Sequence, residues 1–205
     1  MPDHLRTVVF VRHGESESCI GKIVTSEIEG YNLTERGRRQ AAAVAQELKS
    51  VAIDEIYSSP VVRTMQTAQI ISEILRLPVR ADVRLTERDH GPASGMKVPS
   101  IEDEVKLYLR LDKYKIEPLS SVIKRIVAFM KTLDLGTCVA VTHSDVIRSA
   151  IVYALGLADD EFSSYGILPE RATMTMVNVH SERFDVVSIG APRLTNSMLK
   201  MISRD

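Results

Sequence analysis

The 205-residue chain has little cysteine, almost no net charge and no long apolar run, and each shortage excludes a class of protein. Two cysteines, Cys19 and Cys138, cannot build a disulfide framework, and their spacing is not that of a zinc site. They read as reduced thiols of an intracellular protein. The 26 basic and 27 acidic residues leave a net charge of −1, so no global field draws the chain to nucleic acid or to an anionic membrane. Affinity for an anion has to come from a local cluster of cations. No apolar run approaches the length of a membrane span. No signal-peptide pattern precedes the first strand-like run, which makes the cytoplasm the expected location. Repeats, linkers and low-complexity tracts are absent too.

What is present is the composition of a soluble globular protein, 44% hydrophobic and 26% charged. The length suits one domain over 1–205 with a small inserted cap. Strand-like and helix-like segments alternate, which predicts an α/β fold. Thr7–Val11 reads as a buried central strand. Thr34 is a candidate N-cap for a helix whose apolar face carries Ala41, Val44, Ala45 and Leu48. Ile53–Tyr57 reads as a second strand. Pro60 suits the first turn of the following helix, with Met65, Ala68, Ser72 and Leu75 on its inner face. Val79–Val83 reads as a third strand. The pattern then weakens to about Glu117. One short amphipathic helix, carrying Ile101, Val105, Tyr108 and Leu109, is expected inside an insertion over the strand ends. Val122, Ile126, Phe129, Met130 and Leu133 mark a further helix. Cys138–Val141 is a buried strand, and Ile147, Ala150, Ile151 and Ala154 mark the helix after it. Ala172–Val179 and Phe184–Ile189 resemble two closing strands. Leu194, Met198, Leu199 and Ile202 suit a short packing helix.

Four local signals carry chemistry. Arg12-His13-Gly14 stands directly after the first strand, where ligands of open α/β sheets bind. A neutral imidazole at His13 can attack phosphorus, and Arg12 offers a fork of donors to phosphate oxygens. Arg63 falls in the first turn of a helix that follows a strand, where backbone amides already favour an anion. His143, followed by Ser144 and Asp145, again ends a strand. Glu87, in a partly closed pocket, would have its pKa raised toward neutrality and act as a general acid. Taken singly, each has a plainer reading: an Arg-His pair in a turn, a solvated helix arginine, a histidine satisfied by backbone, a surface carboxylate. Arg148 reads as a salt-bridging residue. Together, two arginines, two histidines and a carboxyl group near strand ends match what phosphoryl transfer needs, which is positioning and charge stabilisation.

At these residues the chain resembles the histidine phosphatase superfamily, also called the phosphoglycerate mutase-like family, from Val8 to about Ile189. Arg12-His13-Gly14 is similar to the name-giving motif and Leu33-Thr34-Glu35-Arg36-Gly37 to the next helix start. Ser59-Pro60 with Arg63 and Thr67-Ala68 is similar to the second arginine motif. Glu87 matches the acid position and His143 the second histidine. The resemblance implies a three-layer α/β/α sandwich with a mostly parallel sheet and a cap at about 88–117. It implies His13 as the phosphorylated nucleophile, Arg12, Arg63 and His143 on the phosphoryl group, and Glu87 as acid and then base, with no metal or other cofactor. Ser144 and Arg88 are candidate substrate contacts; Arg88 reads equally as a solvated loop cation.

Some positions depart from the family pattern. Cys19 stands where many members place a phosphate-contacting Asn. His90 stands where the mutases have tyrosine, Lys97 comes one position early for their substrate lysine, and Arg110 lacks the partner of a paired-arginine motif. The departures at His90, Lys97 and Arg110 favour metal-independent hydrolysis of a small phosphorylated metabolite over 2,3-bisphosphoglycerate-dependent mutase activity. A catalytically weak phosphate-binding or interaction module is a third reading, and an open site for a phosphoprotein a further one. No nucleic-acid or membrane partner is expected, and an edge strand near the C-terminus would allow a homodimer.

Overall fold

Strand β1 (Arg6–Arg12) buries Val8 and Phe10 on one face and Val9 and Val11 on the other. A strand buried on both sides belongs in the middle of a sheet covered by helices above and below. The computed structural model describes residues 6–100, 103, 107, 111–133, 136–157, 169–181 and 183–202. Besides β1 it contains β2 (Glu55–Ser58), β3 (Val79–Ala81), β4 (Gly136–Thr142), β5 (Met174–Val179) and β6 (Phe184–Ala191). They form one six-stranded sheet in the order β3-β2-β4-β1-β5-β6. The pairs β3-β2, β2-β4 and β4-β1 are parallel, and β5 runs antiparallel between β1 and β6. The sheet is therefore mostly parallel, as expected.

The helices among the described residues are α1 (Glu17–Gly21), α2 (Glu35–Leu48), α3 (Val62–Leu75), α4 (Leu111–Tyr114), α5 (Leu119–Lys131), α6 (Ser144–Leu155) and α7 (Asn196–Ile202). On one face of the sheet, Val44, Ala45 and Leu48 of α2 and Ala68 and Ile71 of α3 pack against Val9, Val11, Ile56, Val139, Val141 and Met176. Leu194, and Met198 and Leu199 of α7, close that layer. On the other face, Val122, Ile126 and Phe129 of α5 and Ile147 and Ile151 of α6 pack against Val8, Phe10, Ala140 and Val177. The result is the three-layer α/β/α sandwich. Thr34 caps α2 as its residue type predicts, with its hydroxyl accepting from Gly37 N at 3.0 Å.

Local boundaries differ from the sequence reading at several elements, most of all around β2, β3 and the start of α3. The second strand lies at Glu55–Ser58 rather than Ile53–Tyr57, and the third shortens to Val79–Ala81 before a 3-10 turn at Val83–Leu85. Pro60 precedes α3 instead of lying in its first turn, because Val61 is the N-cap. The buried residues of α3 are Arg63, Thr64, Thr67, Ala68 and Ile71; of the expected inner face Ala68 is buried and Leu75 packs half-buried on the core, whereas Met65 and Ser72 are only half-buried. The buried face also delivers polar groups to the site, which hydrophobic periodicity does not count. The expected helix through Ile101, Val105, Tyr108 and Leu109 falls on positions that lie outside the described residues. Leu107 is buried, and with Val24, Ala93 and Ile116 it forms a third small core. That core holds the segment around 88–117 against the loop after α1. Backbone bonds reinforce the seam: Val24 N donates to Met96 O (3.0 Å) and Val98 N to Lys22 O (2.8 Å).

Candidate active site

Three neighbouring strands end at one level. Arg12 is in register with Thr142, and Ser58 with Val141. The ladder runs one residue further, since His13 N donates to Thr142 O and Ser59 N to Val141 O, both at 3.0 Å. His13, Ser59 and His143 therefore emerge side by side at the carboxyl ends of β1, β2 and β4, the ligand-binding edge of such a sheet. Gly14 lets the loop after β1 press on α2: a Cβ there would lie 2.5 Å from Gly37 O. Gly14 N is also held by Thr67 Oγ1 at 3.1 Å.

The tautomer of His13 follows from its partners. Its Nδ1 lies 2.8 Å from Gly14 O. A carbonyl only accepts, so Nδ1 carries the proton and Nε2 keeps its lone pair. That lone pair accepts from Arg63 Nε at 3.2 Å. The ring is 4% exposed. Burial, reinforced by the Arg63 and Arg12 cations, holds its pKa well below the usual histidine value. His13 is thus a neutral imidazole with an unprotonated Nε2 at ordinary pH.

Arg63 is buried and ties the site together. Its Nη2 donates to Thr25 O at 3.1 Å and to His143 Nδ1 at 3.2 Å. His143 consequently holds its proton on Nε2 and donates it to Ser59 Oγ at 2.9 Å. Its pKa too is driven well down, by burial, then Arg63, then His13. The two imidazole rings are 5.3 Å apart between centroids. Arg12 donates through Nη1 to Pro169 O at 2.7 Å. Arg12 Nε and Arg63 Nη1 are buried with no hydrogen-bond partner among the described residues. A buried guanidinium donor left unpaired is costly, and an anion seated between the two arginines would satisfy both.

Glu87 places its Oε2 3.9 Å from His143 Nδ1. Burial, then the neighbouring Asp145 carboxylate, pushes its pKa up to about 7. It can hold or release a proton near neutrality.

These groups border a cleft of about 210 Å³ lined by Arg12, His13, Arg63, Glu87 and Ser144, with His143 fully buried behind Arg63. All the expected residues except Arg88 therefore meet at one place. Arg88 is 7% exposed: its Nε donates to Glu117 O at 2.6 Å and its Nη1 faces Asp145 Oδ2 at 3.9 Å. Arg88 is not among the residues that line the cleft. Lys97 does not line the cleft either. Arg148 pairs with Asp145 at 3.1 Å, as read from the sequence.

Sequence reasoning missed Thr25, Lys22 and Arg171, which also line the cleft. His90 lines it as a neutral ring, with burial holding its pKa down to about 4. Cys19 lies on the wall beside Arg171, whose Nε is 3.0 Å from Cys19 Sγ. Burial raises the Cys19 pKa, but hydrogen bonding to Ser16 and the Arg171 cation outweigh it, and the net shift is downward. Among the described residues, no three His, Cys, Asp or Glu side chains gather as a metal site, and no helix is long and apolar enough to cross a membrane.

A sandwich with paired imidazoles, paired arginines and one carboxyl group at its strand ends defines an enzyme fold of phosphoryl transfer. The chain belongs to the histidine phosphatase superfamily (branch 1), whose family model matches residues 8–192. It is 34% identical to a 2,3-bisphosphoglycerate-dependent phosphoglycerate mutase of Thermoplasma acidophilum, over 97% of this chain and 99% of that protein. It is 32% identical to phosphoserine phosphatase 1 of Hydrogenobacter thermophilus, over 86% of this chain and 88% of that protein. Among solved structures, a mycobacterial glucosyl-3-phosphoglycerate phosphatase in complex with VO3 superposes with a TM-score of 0.78 at 26% identity, covering 91% of this chain and 99% of that one. Both mutases and phosphatases are thus among its relatives.

Proposed function

We propose that the chain is a phosphomonoester hydrolase that needs no metal and works through a phosphohistidine on His13 Nε2, with a small phosphorylated metabolite as substrate. The observation that carries this reading is the hydrogen bond from His13 Nδ1 to Gly14 O, which aims the unprotonated Nε2 into an arginine-lined cleft. As substrate enters, the Arg63 Nε that rests on His13 Nε2 transfers to a phosphoryl oxygen. Arg12 Nε and Arg63 Nη1 take the other equatorial oxygens. His13 Nε2 then forms a bond to phosphorus while the ester P–O bond breaks, and Glu87 gives its proton to the leaving oxygen. In the second half a water attacks phosphorus, Glu87 takes its proton, and the His13–phosphorus bond breaks to release inorganic phosphate.

A mutase is the second reading. It is favoured by the likeness to the Thermoplasma acidophilum protein along nearly the whole of both chains. Against it, Arg88 is engaged by Glu117 and Lys97 lies outside the cleft lining, so the mutase-like residues after Glu87 do not converge on the site. Product analysis separates the two. In EDTA, with 3-phosphoglycerate and catalytic 2,3-bisphosphoglycerate, hydrolysis yields inorganic phosphate and glycerate. Accumulation of 2-phosphoglycerate with little free phosphate would replace the hydrolase with the mutase.

A further inference from the structure

The buried part of the site accounts for one phosphoryl group. His13, Arg63 and His143 are each at most 4% exposed, and the unpaired donors of Arg12 and Arg63 are buried with them. The cleft continues outward past this seat, and its outer wall carries two more cations, Lys22 and Arg171, both exposed.

Neither cation is loosely placed. Lys22 is the left-handed C-cap of α1 (φ 52°), and Lys22 O accepts from Val98 N in the seam to the inserted segment. Its Nζ donates to Pro99 O at 2.8 Å. Arg171 lies in a turn pinned to the end of β1, where Ala172 N donates to Arg12 O at 2.9 Å. The antiparallel entry of β5 beside β1 thereby brings Arg171 next to Arg12, close enough for its cation to disfavour the charge on Arg12. The Arg171 Nε rests on Cys19 Sγ at 3.0 Å. That contact holds the guanidinium beside Cys19, the residue that stands where the family pattern has an asparagine. Like charges gathered on the wall of a cleft are tolerated when an anion sits between them.

We infer that Arg171 and Lys22 form a second anion subsite, so that the preferred substrate is a phosphomonoester carrying a further carboxylate or phosphate a few bonds from the ester. This rests on the phosphoryl-transfer reading of the buried seat and adds the substrate class. The burial gradient decides between a second group and a third ligand to the same phosphoryl: the seat is enclosed, whereas Lys22 and Arg171 face what protrudes from it. Arginine is suited to the task because its fork meets a carboxylate or phosphate with two parallel hydrogen bonds.

The test measures binding without turnover, in a His13→Ala background, by calorimetry. Glycerol 3-phosphate carries one anionic group; 3-phosphoglycerate adds a carboxylate and 1,3-propanediol bisphosphate a second phosphate. The subsite predicts that at least one of the doubly anionic ligands binds about tenfold tighter than glycerol 3-phosphate, and which of them does so identifies the anion. Adding Arg171→Met should remove most of that preference, Lys22→Met a smaller part, and Arg171→Lys should retain some of it. Equal affinities for the three ligands, or a preference that survives Arg171→Met, would overturn the subsite. Loss of affinity for all three ligands alike in Arg171→Met would also overturn it, by making Arg171 part of the phosphoryl seat. Because no catalysis is required, failure of the hydrolase reading would leave this result standing or falling by itself.

Discussion

Arg63 Nε donates to His13 Nε2 across 3.2 Å, so in the proposed mechanism the cation that meets the incoming phosphoryl group also covers the atom assigned to attack it. The same guanidinium reaches Thr25 O and His143 Nδ1. One side chain therefore holds the nucleophile, the second histidine and a loop in fixed relation. Arg63→Met should lower kcat/KM by about 10²- to 10³-fold, the range for loss of one preorganised charge-stabilising group. Arg63→Lys should fall in between, since a single ammonium cannot replace three directed donors. A loss smaller than threefold for Arg63→Met, in steady-state kinetics, would show that the guanidinium is not at the reacting phosphorus.

Glu87 predicts a dependence on the leaving group. An aryl oxygen leaves without much help, whereas an alkyl oxygen needs the proton. Glu87→Gln should slow an alkyl phosphate at least tenfold more than an aryl phosphate. Equal losses for the two would remove Glu87 from the role of acid.

The pH profile follows from the same two groups. Glu87, with its pKa pushed up to about 7, acts as an acid only while protonated, so kcat/KM should fall as pH rises through about 7. His13 attacks only when neutral, and its pKa is held well below the ordinary value of 6.5, so the acidic limb should lie well below that pH. Stability moves in the same direction. Between the unfolded carboxyl value near 4.5 and the folded value near 7, the native state holds the extra proton, so rising pH costs folding free energy. Glu87→Gln should therefore raise Tm more at pH 8 than at pH 4. An equal change at both pH values would contradict the shift.

Gly14 tests the packing behind the nucleophile. A Cβ there meets Gly37 O at 2.5 Å, and backbone cannot rotate away as a flexible side chain would. Gly14→Ala should cost about 1–3 kcal/mol of stability in denaturant unfolding. A neutral substitution would mean that the loop after β1 is free to shift from α2.

Much of this was legible in the sequence where pattern and role agree. β1 and β4 are continuous apolar runs, α2 has both its cap and its stripe, and His13 and His143 each follow a parallel strand directly. The face of α3 was read only in part, at Ala68 and Leu75, because its buried positions also include Arg63, Thr64 and Thr67, which periodicity counts as solvent-facing. Arg171 was missed for a topological reason. It stands before a strand, and only the antiparallel run of β5 beside β1 carries it to the end of the sheet where the other groups gather. Adjacency to Glu87 says nothing of the direction of Arg88, whose Nε donates to Glu117 O and whose Nη1 faces Asp145. The expectation for Cys19 recognised a lost amide. It could not show the Arg171 guanidinium that stands beside the thiol.

The most direct test of the whole account is rapid quenching of the enzyme with a phosphate ester labelled at phosphorus, followed by mapping of the labelled residue. A phosphoryl group on His13 should appear within a turnover, stable in base, lost in acid and absent from His13→Ala. Turnover without labelled protein, or an acid-stable label on another residue, would contradict the assignment of His13 Nε2 as the nucleophile.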